Sequence, residues 1–93
     1  MSYRLHFSEA AKKDVLDIYD WYESLQSGLG NRFRKELTST TSLLRKDPLI
    51  IQFKYADMRI IYLSVFPYGI HFKVVDNEVH VIAVLHTSRK PRG

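Results

Sequence analysis

Apolar and polar positions follow two different periods along this chain, and the switches between them mark its elements. Residues 3–7 alternate, with Tyr3, Leu5 and Phe7 apolar and Arg4 and His6 polar, which predicts a short strand. Ser8 is a good N-cap and is followed by acidic Glu9. Ala11, Val15, Ile18, Tyr22 and Leu25 then recur at helical spacing, with Leu16, Tyr19 and Trp21 widening the stripe. Gly28 ends this helix where a left-handed residue is needed. A second helix begins near Leu29, with Phe33, Leu37, Thr40 and Leu44 on one face, and must stop before Pro48. The short break at 28–30 makes the pair an antiparallel helical hairpin.

After Pro48 the period returns to two. Ile50, Ile51, Phe53 and Tyr55 read as an extended lead-in, and residues 58–66 as an aliphatic strand that Pro67 ends in a turn or bulge. Ile70, Phe72 and Val74 then alternate with His71 and Lys73, and Val79, Val81 and Ala83 with His80. Asp76 and Asn77 form the turn between these two strands, since Asn tolerates positive φ. The order is β-α-α-β-β-β. It predicts one α+β domain spanning residues 1–93, with the helical hairpin packed on one face of an antiparallel sheet.

A two-residue turn at Asp76 and Asn77 pairs Phe72 with Val81, Val74 with Val79 and Ile70 with Ala83, on the face that meets the helices. The opposite face would carry Lys73 beside His80, His71 beside Ile82, and further along Val84 and His86. This is a cationic surface with an apolar centre, suited to a polyanion or a partner segment. Scattered Lys and His on the solvated face of an antiparallel sheet is the plainer reading.

Composition narrows the functional classes. The chain has 93 residues, 45% hydrophobic, with a net charge of +4 and no cysteine, which excludes disulfides and thiolate-bound metals. Its apolar runs are far shorter than the roughly 20 residues of a membrane span, so a soluble, cytoplasmic protein is expected. Charge is unevenly placed. Residues 9–25 hold two basic and five acidic residues, residues 29–46 five basic and one acidic, and residues 89–93 three basic and none acidic. Such segregation favours an acidic partner for the basic regions. The histidines lack chelating spacing and no Gly-rich phosphate loop is present, so neither metal nor cofactor is indicated.

The stretch DIYDWYESLQSGLGNRFRKEL at 17–37, Arg59 opening RIIYL, FPYGIHF at 66–72 and VIAVLHTSRKP at 81–91 together resemble the RelE/ParE superfamily of type II toxin–antitoxin modules, which includes plasmid stabilisation proteins. The resemblance covers nearly the whole chain. FPYGIHF and LHTSRKP are more similar to ParE-like members, which implies growth inhibition by binding DNA gyrase rather than by catalysis. An alternative implied by the resemblance is a ribosome-dependent, metal-independent mRNA endoribonuclease. Its candidate catalytic residues here are Arg59, His86 and Arg89, with His86 as proton shuttle. Against it, the chain lacks an Arg after Tyr68 and an aromatic residue near its end. A non-toxic interaction domain is the third reading.

Lys73, His71, His80 and Lys90 are the candidate target- or nucleic-acid-binding residues. The resemblance also implies a cognate acidic antitoxin that wraps the toxin. Its expected contacts are Arg32, Lys35, Ile82, Val84, Arg89 and Arg92.

Overall fold

In a computed structural model that describes residues 2–88, the opening alternation forms β1 (Arg4–Phe7) and the helical stripe forms α1 (Glu9–Leu25). Ser8 makes the transition. Its backbone is extended and its Oγ accepts the Ala11 N–H at 3.0 Å, so the first turn of α1 is capped. Gly28 takes φ 90° and stands before α2 (Leu29–Lys46), so it opens the second helix rather than closing the first. The Glu23 carboxylate accepts both the Gly28 and Gly30 N–H groups at 2.9 Å and so fixes the turn between the helices. Gly30 lies where the helices touch. A Cβ there would come within 2.8 Å of the Tyr19 ring and 2.9 Å of its carbonyl oxygen.

A 3-10 turn at Pro48–Ile50 leads to β2 (Phe53–Tyr55), β3 (Met58–Tyr62), β4 (Tyr68–Val75) and β5 (Glu78–His86). The lead-in foreseen at residues 50–55 therefore ends in a short edge strand. The strand expected over 58–66 stops at Tyr62, because Glu36 of α2 takes over the next backbone donors. Its carboxylate accepts from Ser64 N at 2.6 Å, Val65 N at 3.1 Å and Phe66 N at 3.2 Å. These N–H groups are thereby withdrawn from the ladder.

The sheet order is β1-β5-β4-β3-β2. Neighbours are antiparallel except β1, which lies parallel to β5 after the chain crosses over through the helical hairpin. The helices cover one face. Phe33, Leu37 and Leu44 of α2 and Ala11 and Ile18 of α1 meet Ile70, Phe72, Val79, Val81 and Val84 in one buried cluster. Tyr22, Phe33, Phe66 and Tyr68 close its end with ring centroids 4.9 to 6.2 Å apart. Burying a side chain such as Phe33 or Phe72 stabilises the fold by roughly 1.5–3 kcal/mol. The turn between β4 and β5 is at Asp76 and Asn77, and Asp76 rather than Asn77 takes the positive φ, 54°.

Candidate target-binding surfaces on the two faces of the sheet

From the turn as far as Phe72 opposite Val81, the β4–β5 register is the one the alternation predicts. There it shifts. His71 pairs with Ala83 and Ile70 with Val84, so Ile82 has no residue opposite it and forms a β-bulge. Three contacts hold the bulge to α1 and its cap: Ser8 N–H donates to the Val81 carbonyl at 2.9 Å, Ser8 Oγ donates to the Ile82 carbonyl at 3.0 Å, and Asp14 accepts the Val84 N–H at 2.9 Å.

One added residue reverses every side chain beyond it. Val84, expected on the open face, is 2% exposed and belongs to the core against the helices. His86 likewise stands opposite Tyr68, its ring 5.3 Å from that tyrosine's, with Nδ1 2.8 Å from Ser88 Oγ. Ile82 is half-buried and does not form an exposed apolar strip with Val84. Ala83, expected in the core layer opposite Ile70, instead faces His71.

The open face therefore has two zones. Near the turn, Lys73 stands opposite His80 as expected, and His80 is stacked on His6 of β1 with ring centroids 5.2 Å apart. Glu78 lies between them, 3.1 Å from His80 Nε2, 3.5 Å from His6 Nε2 and 3.8 Å from Arg4. Desolvation alone would raise the Glu78 carboxyl. The His80 hydrogen bond and the charges of His6, His80 and Arg4 outweigh it and hold the group below its ordinary value of 4.5.

Beyond the bulge, His71 is 4% exposed, and its Nδ1 lies 3.0 Å from the Tyr55 hydroxyl. Burial raises the Tyr55 phenol above its ordinary value. A pocket of about 150 Å³ adjoins this pair, lined also by Lys54, Ile60, Tyr62, Gly69, Leu85, His86 and Thr87. Gly69 lets Tyr62 and Ile60 lie flat on β4, since a Cβ there would sit 2.9 Å from Ile60.

Arg59 stands opposite Phe72, so it belongs to the helix-side layer and not to the face of His71 and Lys73. Its guanidinium lies 4.1 Å from the Phe53 ring centroid and donates to the Ile51 carbonyl, tying β3 to the chain before β2. Arg32 and Lys35 are exposed on α2. Arg89, Lys90 and Arg92 lie outside the described residues.

Several contributing residues were not singled out by pattern. His6 was read as a strand's polar position, and its pairing with His80 depends on a parallel neighbour 74 residues away. Glu36 carried a usable signal, being the lone acid of α2 among five bases. Asp14 and Tyr55 carried none. Among the described residues no group of three or more His, Asp or Glu side chains is arranged to hold a metal ion, and no helix is long and apolar enough to cross a membrane.

Residues 5–91 match the model of the family described as the ParE toxin of type II toxin-antitoxin systems, parDE. Among solved structures, the chain is similar to one from the chromosomal ParDE system of P. aeruginosa, with 17% identity over 91% of this chain and 96% of that one and a TM-score of 0.81. It is also similar to a chain of the intact E. coli RelBE toxin–antitoxin complex, with 25% identity over 95% and 100% and a TM-score of 0.59. The isolated E. coli RelE toxin gives 23% identity over 96% and 88% and a TM-score of 0.58. Among curated proteins no relative matches the chain.

Proposed function

The chain belongs to the ParE toxin family of type II toxin–antitoxin systems, and from that membership we propose that it inhibits growth by binding DNA gyrase and is neutralised by a cognate acidic antitoxin. The observation that carries the target reading is the separation of Arg59 from the histidines that RNA cleavage would need beside it. Transesterification requires a base, an acid and a cation around one phosphate, all within hydrogen-bond reach. Here Arg59 belongs to the helix-side layer, apart from His71, Lys73 and His80 on the open one, while His86 reaches the pocket beside His71. A binding toxin needs no such convergence. The antitoxin reading is supported by the basic, exposed face of α2 and by neighbours that are toxin–antitoxin complexes.

A second reading, ribosome-dependent RNA cleavage, draws support from the pocket lined by His71, His86, Lys54 and Tyr62, where two imidazoles, an ammonium and a phenol are neighbours. Brief induction without antitoxin, followed by transcriptome-wide mapping of RNA ends and measurement of plasmid supercoiling, separates the two. Loss of supercoiling with an SOS response and intact transcripts is expected. Cleavage within translated codons at normal supercoiling would replace the gyrase reading with the ribonuclease one, and normal growth would favour a non-toxic interaction domain.

A further inference from the structure

The solvent side of α2 holds positive charge that nothing else in the chain offsets. Asn31, Arg34, Lys35, Thr38 and Ser39 line one open depression on it, and every one of them can donate a hydrogen bond. Arg32 stands beside them, and exposed Arg45 and Lys46 extend the basic side for roughly 20 Å along the helix. Arg45 and Lys46 complement the negative end of the helix dipole. Arg32 and Lys35 do the reverse. They lie near a first turn that holds no acid, toward the positive end of the dipole and one turn from each other, so the helix gains nothing from them. The cations of α1 pair within α1, Lys12 with Glu9 and Lys13 with Asp17, and Glu36, the one acid of α2, is taken up by the β3–β4 loop. All ten Asp and Glu side chains of the chain lie among the described residues, and none forms an ion pair with Arg32, Arg34 or Lys35. Arg34 is instead held over the Tyr19 ring, 5.7 Å from its centroid.

We propose that this face binds the phosphate backbone of duplex DNA. Arg and Lys interleaved with hydroxyl and amide donors are the groups from which phosphate oxygens accept. A protein partner needs apolar anchors at the centre of its interface, and Leu43 is the one exposed apolar side chain of α2. Single-stranded nucleic acid needs aromatic platforms for its unpaired bases, and α2 exposes no ring. Duplex DNA asks only for charge and donors, since it presents about one phosphate per 1.7 Å of axis. Its major groove also admits a helix with phosphates on both flanks, which the narrow groove of duplex RNA does not. The inference does not rest on the gyrase reading, because DNA alone is the ligand, and an acidic antitoxin that covers α2 would compete with it.

Fluorescence anisotropy of a labelled duplex of about 20 base pairs, titrated with the full chain at salt concentrations from about 50 to 200 mM, tests this. Saturable binding is expected, with the logarithm of the affinity falling linearly against that of the salt concentration. Arg32→Gln combined with Lys35→Gln changes only exposed side chains and should make that slope shallower by about 1.8, whereas Lys13→Gln on α1 should leave it unchanged. Four results would each overturn the assignment. These are no saturable change up to about 100 μM protein, a slope that the α2 double variant leaves unchanged or that Lys13→Gln reduces equally, tighter binding of single-stranded DNA or duplex RNA, and displacement of the duplex by an oligoglutamate peptide more readily than by unlabelled DNA of the same charge.

Discussion

The two halves of β5 make an instructive pair. Both belong to one strand paired to β4, the first alternating and the second apolar from Ile82 to Leu85, and yet they present opposite parities to the helices. Before Ile82 the odd residues Val79 and Val81 are buried against α1 and α2, and after it the even residue Val84 takes that place. The half next to the turn is governed by local chemistry, the Asp76–Asn77 reversal. The other half is governed by α1, through Ser8 and Asp14. A strand's facing is thus set by whatever satisfies its backbone donors and acceptors, and alternation records this only while the ladder is unbroken.

Placing a charge on either side of the bulge breaks the comparison most severely. Val84→Asp buries a carboxylate in the core and should cost at least about 4 kcal/mol, enough to unfold much of the protein, whereas Ile82→Asp, at a half-buried unpaired position, should cost about 1 kcal/mol. Urea denaturation followed by circular dichroism reads both. Equal costs would mean that the bulge does not set the facing. Asp14→Ala removes the acceptor for the Val84 N–H and should destabilise by about 1–3 kcal/mol, with amide exchange at Val84 rising before that of Val79.

The loop between β3 and β4 offers a milder test. Glu36→Ala frees the Ser64, Val65 and Phe66 N–H groups, most of which can then bond to water, so a loss of about 1 kcal/mol is expected. Faster exchange should be confined to those three amides. If exchange at these positions is unchanged, the carboxylate is not what terminates β3.

Smallest is the effect of pH on the open-face cluster. The Glu78 carboxyl is held below its ordinary value in the folded chain, so its ion pairs stabilise the fold above about pH 4.5 and that contribution is lost as pH falls through the lower folded value. Glu78→Gln should therefore flatten the acid limb of the stability profile by slightly lowering stability near neutrality while leaving it unchanged at low pH. A steeper acid limb in the variant would contradict this arrangement of His6, His80 and Arg4.

Much of this architecture was legible in the sequence, and the reasons are local. Helix periodicity, the Ser8 cap, the break near Gly28 and the stop at Pro48 act within a few residues, so they survive without knowledge of the fold. The pairs Phe72 with Val81 and Lys73 with His80 followed from the turn. What escaped were contacts between distant segments. The bulge depends on Ser8 and Asp14, which lie 74 and 70 positions before Ile82 and Val84, and it displaced Val84 and His86 from the surface where they were expected. The layer of Arg59 could not be read in advance for a similar reason, since it is set by the β3–β4 register and not by its own strand. The parallel pairing of β1, which brings His6 onto His80, has no signature in either strand alone.

The central proposal is that this ParE family member acts by binding gyrase rather than by cleaving RNA. The most direct test is a supercoiling assay with purified DNA gyrase and relaxed plasmid, titrated with the wild-type chain and with His86→Ala. The account predicts dose-dependent inhibition by both, to within about twofold of one another, and restoration of supercoiling on addition of antitoxin. Undiminished supercoiling at saturating toxin, together with cleavage of mRNA on programmed ribosomes by the wild-type chain but not by His86→Ala, would contradict it.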